Sequence, residues 1–164
     1  MTSVRVYVGI GSNIDREKNV RGGIKELETR FGELVVSPVY ESKSYGFDGD
    51  DFYNLVVGFD TTVDIDELAR QLREIEFQFG RRRNETRYSP RTLDIDLLLY
   101  CDVINDDHDV PREDIEKYAF VLKPLVDIAP GLHHPVIGIR MDELWQAFEP
   151  GQQQMQRANF NLGE

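Results

Sequence analysis

Residues 93–100 read L-D-I-D-L-L-L-Y, and this run limits the fold more than any other. Acidic and branched apolar residues alternate there with a period of two, which only an extended strand converts into one polar and one buried face. Asp94 and Asp96 are therefore expected to project together, with Leu93, Ile95, Leu97 and Leu99 filling the opposite side. Two unit charges about 6–7 Å apart repel by about 2–3 kcal/mol at an effective dielectric near 20, a cost that a bound Mg²⁺ would reverse. The 11 residues 81–91, directly upstream, carry five arginines (Arg81, Arg82, Arg83, Arg87, Arg91) and one acid, Glu85, in a chain of net charge -11. Guanidinium groups match phosphate geometry and paired carboxylates match a hard divalent cation, so together they point to a metal-bound polyphosphate. Ser89 and Pro90 favour a fixed turn that presents Arg87 and Arg91 to one place.

Upstream, residues 4–10 alternate as a strand, with Gly9, Gly11, Ser12 and Asn13 supplying turn chemistry at its end. Asp15 is positioned to cap an amphipathic helix through Val20, Ile24, Leu27 and Phe31, closed by Gly32. Residues 34–44 and 52–61 read as strands, separated by the polar glycine-containing loop 45–51. Asp64 opens a second helix through Ile65, Leu68, Leu72, Ile75 and Phe79, with Gly80 at its C-terminal cap. The predicted order is β-α-β-β-α-β, an α+β fold with a ferredoxin-like core. Helical patches at residues 120–129 and 141–148 follow, and residues 150–164 read as a frayed, loosely ordered tail of one 164-residue domain.

Several residues admit more than one role. By helical pattern alone Glu76 is a solvent-facing glutamate. Asn54, inside an apolar strand, is either a strand-edge amide or the specificity element of a pocket. Phe52 and Phe120 are core aromatics by default. Adjacent His133 and His134 diverge in most backbone geometries and read as structural. The motif Gly9-Ile10-Gly11-Ser12-Asn13 lacks the ending of a phosphate-gripping P-loop.

Composition narrows the function classes. Thirty acidic against 19 basic residues disfavour indiscriminate nucleic-acid binding. Cys101 is the only cysteine, so an intrachain disulfide is impossible. The N-terminal residues carry no secretory signature and no apolar run is long enough for a membrane span, which gives the expectation of a cytoplasmic protein.

The segments Gly11-Ser12-Asn13, Phe52-Tyr53-Asn54, Ile75-Glu76 through Gly80-Arg81, and above all Pro90-Arg91-Thr92-Leu93-Asp94-Ile95-Asp96 resemble the 6-hydroxymethyl-7,8-dihydropterin pyrophosphokinases of folate biosynthesis. Phe120-Val121-Leu122-Lys123-Pro124-Leu125, Ala129-Pro130 and His134-Pro135 extend the resemblance. It implies a monomer that moves the β,γ-pyrophosphoryl group of ATP onto a pterin hydroxymethyl oxygen, with two Mg²⁺ ions on Asp94 and Asp96. By the same resemblance Arg81, Arg83 and Arg91 contact the triphosphate, Arg81 and Arg91 acting in catalysis, while Arg87 and Tyr88 belong to a closing loop. Phe52 and Phe120 sandwich the pterin, and Asn54 with residues 42–46 (Ser42, Tyr45 and Gly46 among them) reads its polar edge. Glu76 and Arg112 fall near the nucleotide. The chain departs from the family at Asn84 (commonly Lys), Tyr88 (commonly Trp), Arg112 (commonly His) and Tyr118 (commonly Arg). Those departures leave room for a divergent homologue that binds without efficient transfer, and the architecture alone would also suit an interaction module.

Overall fold

The computed structural model describes residues 2–42, 51–80, 93–151, 153 and 155–160. The N-terminal strand β1 (Val4–Ser12) is followed by α1 (Arg16–Phe31), two short strands β2 (Val35–Val36) and β3 (Tyr40–Ser42), and the long strand β4 (Phe52–Thr61). Then come α2 (Ile65–Gln78), β5 (Asp94–Tyr100), α3 (Asp114–Lys117), α4 (Ala119–Ile128), α5 (Met141–Ala147) and β6 (Met155–Arg157). The sheet runs β5-β1-β4-β3-β6, with β2 also on β4, and every pairing is antiparallel. The α1 connection thus carries the chain from β1 past β4 to β2 and β3, and α2 carries it from β4 past β1 to β5.

The sheet is buried on both faces, which is why β1 and β4 are apolar almost throughout. Val6, Val8 and Ile10 of β1, with Leu55, Val57 and Phe59 of β4, meet Val20 and Leu27 of α1 and Leu68, Leu72 and Ile75 of α2. On the other face Tyr7, Val56, Leu98 and Leu99 pack with Val121, Leu122 and Leu125 of α4 and Met141 of α5. Full burial stabilises each such side chain by about 1.5–3 kcal/mol relative to exposure. Close approach needs small residues in one place: a Cβ on Gly22 would lie 2.5 Å from the Phe79 ring, and one on Gly23 3.0 Å from Leu93. These glycines let α1 lie against the end of α2 and the start of β5.

Five local expectations are corrected. Gly9 and Gly11 lie inside β1, which runs to Ser12, rather than in a turn after it. Asp15 sits at φ 43° and its side chain makes no cap bond, whereas Asp64 accepts from Glu67 N at 2.8 Å as expected of an N-cap. The predicted strand 34–44 is broken at Ser37-Pro38, because proline cannot donate to the ladder and Ser37 Oγ instead accepts from Val56 N. A register shift between Tyr7 and Val8, opposite Leu97 and Leu99, bulges β5 at Leu98 and turns Leu99 to the α4 face. Within the stretch read as frayed, Met155–Arg157 pairs with β3, and Ala158 N donates to Val39 O.

The turn before α5 is organised by His134, 3% exposed, whose Nδ1 accepts from Val136 N and Ile137 N. Burial lowers its pKa, partly offset by Glu116 across 4.0 Å. Because the folded value lies below the unfolded one, the stability this ring contributes is complete above about pH 6.5 and is lost as pH falls through the folded value. Thermal unfolding followed from about pH 7 to pH 5 should show this loss, and His134→Asn, which keeps an acceptor for the two amides, should flatten it.

Candidate active site

The register of β1 brings the sequence-predicted residues onto one face. Gly11 is flanked by Asp94 of β5 and Asn54 of β4, and Asn54 in turn faces Tyr40 of β3. One rung inward, Gly9 is flanked by Asp96 and Val56. Asp94 and Asn54 are therefore two strand spacings apart, about 10 Å between Cα atoms. The glycines between them leave the floor without side chains. A Cβ on Gly11 would come within 3.0 Å of Asn54 Oδ1, and 3.9 Å of the Phe52 ring.

At the β3–β4 end, Asn54 is 8% exposed and its Nδ2 donates to Ser42 Oγ at 2.8 Å. Ser42 pairs with Phe52, so Ser42, Phe52 and Asn54 form one corner of the face. Phe120 stands on the first turn of α4, the helix that covers this face, and stacks on Tyr118 with ring centroids 5.0 Å apart. Tyr45 and Gly46 lie outside the described residues.

At the β5 end, both aspartates are half-buried, on the face predicted for them. Arg112 approaches from the connection after β5, its backbone N donating to Leu98 O at 3.0 Å and its Nη2 3.9 Å from Asp96 Oδ1. Its other guanidinium nitrogens lie 3.2 Å from Asp114 and 3.7 Å from Asp109. Burial opposes its charge, but Asp96, Asp114 and Asp109 outweigh that and raise its pKa. Arg81, Arg83, Arg87, Tyr88 and Arg91, with Arg82 and Asn84, lie outside the described residues; the segment that holds them leaves from Gly80 and returns at Leu93. Among the described residues no three His, Cys, Asp or Glu side chains gather as a metal cluster.

Glu76 corrects its sequence expectation. It is 6% exposed, and its Oε2 accepts from Ile95 N at 2.8 Å. β5 is the sheet's outer strand and β1 satisfies only its inner edge, so Glu76 serves as the acceptor that an additional strand would have supplied. The signal was present in the sequence, since Glu76 lies four residues after Leu72 and beside Ile75, on the buried stripe of α2. Glu76, Asp96 and Arg112 also line a cleft of about 750 Å³ between α2, β5 and residues 107–112, with Leu72, Arg73 and His108. No helix among the described residues is long and apolar enough to cross a membrane.

Residues 7–130 match the family described as 7,8-dihydro-6-hydroxymethylpterin-pyrophosphokinase (HPPK). The chain belongs to that family. A 2-amino-4-hydroxy-6-hydroxymethyldihydropteridine pyrophosphokinase of Aquifex aeolicus is 36% identical over 135 residues, spanning 80% of this chain and 84% of the relative. The protein of that name from Pseudomonas aeruginosa is 37% identical over 142 residues, again 80% and 84% of the two chains. Against the Dictyostelium discoideum folic acid synthesis protein FOL1 the identity is 34%, over 85% of this chain but 22% of that longer one. The fold is also that of the crystal structure of Plasmodium falciparum HPPK-DHPS wild type with pteroate, at TM-score 0.70 and 13% identity, over 89% of this chain and 42% of that one. Asp94 and Asp96 lie inside the matched span.

Glu76→Ala should leave the buried Ile95 N–H without its acceptor and cost about 1–3 kcal/mol in urea denaturation, whereas Glu76→Gln, which keeps an acceptor oxygen, should cost less.

Proposed function

We propose that this chain transfers the pyrophosphoryl group of ATP to 6-hydroxymethyl-7,8-dihydropterin, releasing AMP. The observation that carries the reading is the row Asp94-Gly11-Asn54, which sets a carboxylate and a side-chain amide on either side of one glycine, as a metal-bound polyphosphate beside a polar-edged heterocycle would need. The core is read as ferredoxin-like on the strength of its two crossings, each passing over one antiparallel neighbour. Family membership removes the reason to prefer a bare interaction module.

In this reading Phe52 and Phe120 hold the flat pterin, and Asn54, braced by Ser42, reads its edge together with Tyr45 and Gly46. The hydroxymethyl oxygen attacks the β-phosphorus, the bond from β-phosphorus to the bridging α,β-oxygen breaks, and AMP leaves as the hydroxyl loses its proton. Arg81, Arg83, Arg87 and Arg91 neutralise the polyphosphate, and Tyr88 helps close over it. The nucleoside end takes the cleft lined by Glu76 and Arg112. There Glu76 acts through the position of β5, since its carboxylate is engaged with Ile95 N.

The carboxylates of Asp94 and Asp96 fit Mg²⁺: hard oxygen donors, half-exposed and on one face. Magnesium bound there supplies neutralisation of developing charge on the phosphates. Two carboxylates are few for such an ion, so water and phosphate oxygens would complete its shell, and metal affinity should rise steeply once nucleotide is present. The enzyme is read as a monomer, as the resemblance implies, and as cytoplasmic, as the residue pattern of the sequence leads one to expect.

A second reading, binding without efficient transfer, draws on Arg112, which already stands against Asp96, and on Tyr118, which stacks on Phe120 instead of offering a guanidinium. Incubation with Mg²⁺, ATP and the reduced pterin decides between them. AMP release is expected; binding by calorimetry without AMP selects the second reading, and ADP as sole nucleotide product refutes pyrophosphoryl transfer. Asp94→Asn and Asp96→Asn should each lower kcat by on the order of 10²–10³-fold. Gly11→Ala should raise the KM for pterin about tenfold, through displacement of Asn54, with the KM for ATP little changed.

A further inference from the structure

Arg16, the first residue of α1, has no part in the reading above, yet it holds the corner from which the pterin residues project. Its Nη1 donates both to Glu41 Oε2 at 2.7 Å and to Asp51 O at 2.8 Å. Its guanidinium also lies 4.0 Å from the centroid of the Tyr53 ring. Glu41 directly precedes Ser42 and Asp51 directly precedes Phe52, and Glu41 faces Tyr53 in the ladder. One nitrogen therefore ties together the last rung of the β3–β4 pair, on both strands, one residue away from Ser42 and Phe52.

The alternation of strand side chains places this tie on the far side of the sheet from the candidate site. Tyr53 packs with the α1–α2 core, whereas Asn54 and Phe52 belong to the face that carries Gly11. Arg16 thus acts without touching a ligand on the opposite face. The tie is partly shielded, with the Arg16 and Glu41 side chains 24% and 23% exposed, and a charge-assisted bond in that setting holds geometry better than a surface pair. The C-terminal segment adds to it: Phe160 stacks on Tyr53 at 5.2 Å, and Arg21 stands 4.8 Å from the Phe160 ring.

We propose that Arg16 is a positioning residue for pterin recognition, fixing the spacing of Ser42 and Phe52 by clamping Glu41 and the Asp51 carbonyl from the opposite face of the sheet. The inference rests on the functional reading above and gives the pterin end of the site a support separate from the nucleotide end. Loss of the clamp would then weaken pterin binding selectively, whereas a merely structural role would affect both ligands through stability.

The test is calorimetry on the full chain, with the reduced pterin titrated in the presence of Mg²⁺ and a non-hydrolysable ATP analogue, and the analogue with Mg²⁺ titrated separately. Arg16→Met should weaken pterin binding about tenfold and change analogue binding by less than about twofold. Glu41→Gln, which keeps an acceptor for Arg16, should lose less than Arg16→Met, and Arg5→Met, which breaks the Arg5–Asp60 pair at the other end of β1, should lose nothing. Should Arg16→Met fail to fold, Glu41→Ala releases the same guanidinium from one strand and is expected to show the same selectivity. Unchanged pterin affinity, or an equal loss for both ligands accompanied by a lower Tm, overturns the inference. A wild-type chain that binds the analogue but no pterin overturns instead the reading on which it rests.

Discussion

The antiparallel register of β1 between β4 and β5 governs everything that follows in this molecule. β1 shares its ladder with both neighbours, so each of its residues fixes two others at once: Gly11 fixes Asp94 and Asn54, and Gly9 fixes Asp96 and Val56. A slip of one residue would carry Val6, Val8 and Ile10 out of the α1–α2 core and carry the glycine floor into it. That cost is paid on both faces of the sheet, because α4 and α5 pack on the second one. The candidate site inherits its geometry from this register.

The two ends of the face are held by different means. At β5 the outer edge is supported by Glu76, a buried carboxylate accepting the Ile95 amide, while Arg112 stands among Asp96, Asp109 and Asp114. At β3–β4 the corner is closed from beneath by Arg16 and from beside by the Asn54–Ser42 bond. Charge-assisted and buried hydrogen bonds at both ends favour a preformed surface, which lowers the ordering cost of binding any ligand there.

Family membership and geometry establish different things about this chain. The relatives at 36% and 37% identity establish what the chain is kin to. The structure adds where two residues read from the sequence as departures stand: Arg112 among acidic partners and Tyr118 stacked on an aromatic one. Both are held in place by these local contacts.

From its sequence alone the chain determined the helices α1 and α2, the bounds of β4, and the shared face of Asp94 and Asp96, because periods of 3.6 and 2.0 and the N-cap at Asp64 are local properties. Local pattern also carried the family motifs. What it could not specify were contacts whose partners are far apart in the chain. Glu76 read as exposed until β5 supplied an amide for it, Gly9 and Gly11 read as a turn until two neighbouring strands extended β1 through them, and Leu99 changed faces through a bulge set by pairing with Tyr7. Arg16 likewise has no local signal, since its acceptors lie 25 and 35 residues away. Only tertiary structure decides such placements, because an acceptor, a ladder partner or a facing side chain exists for a residue only once the chain has brought it there.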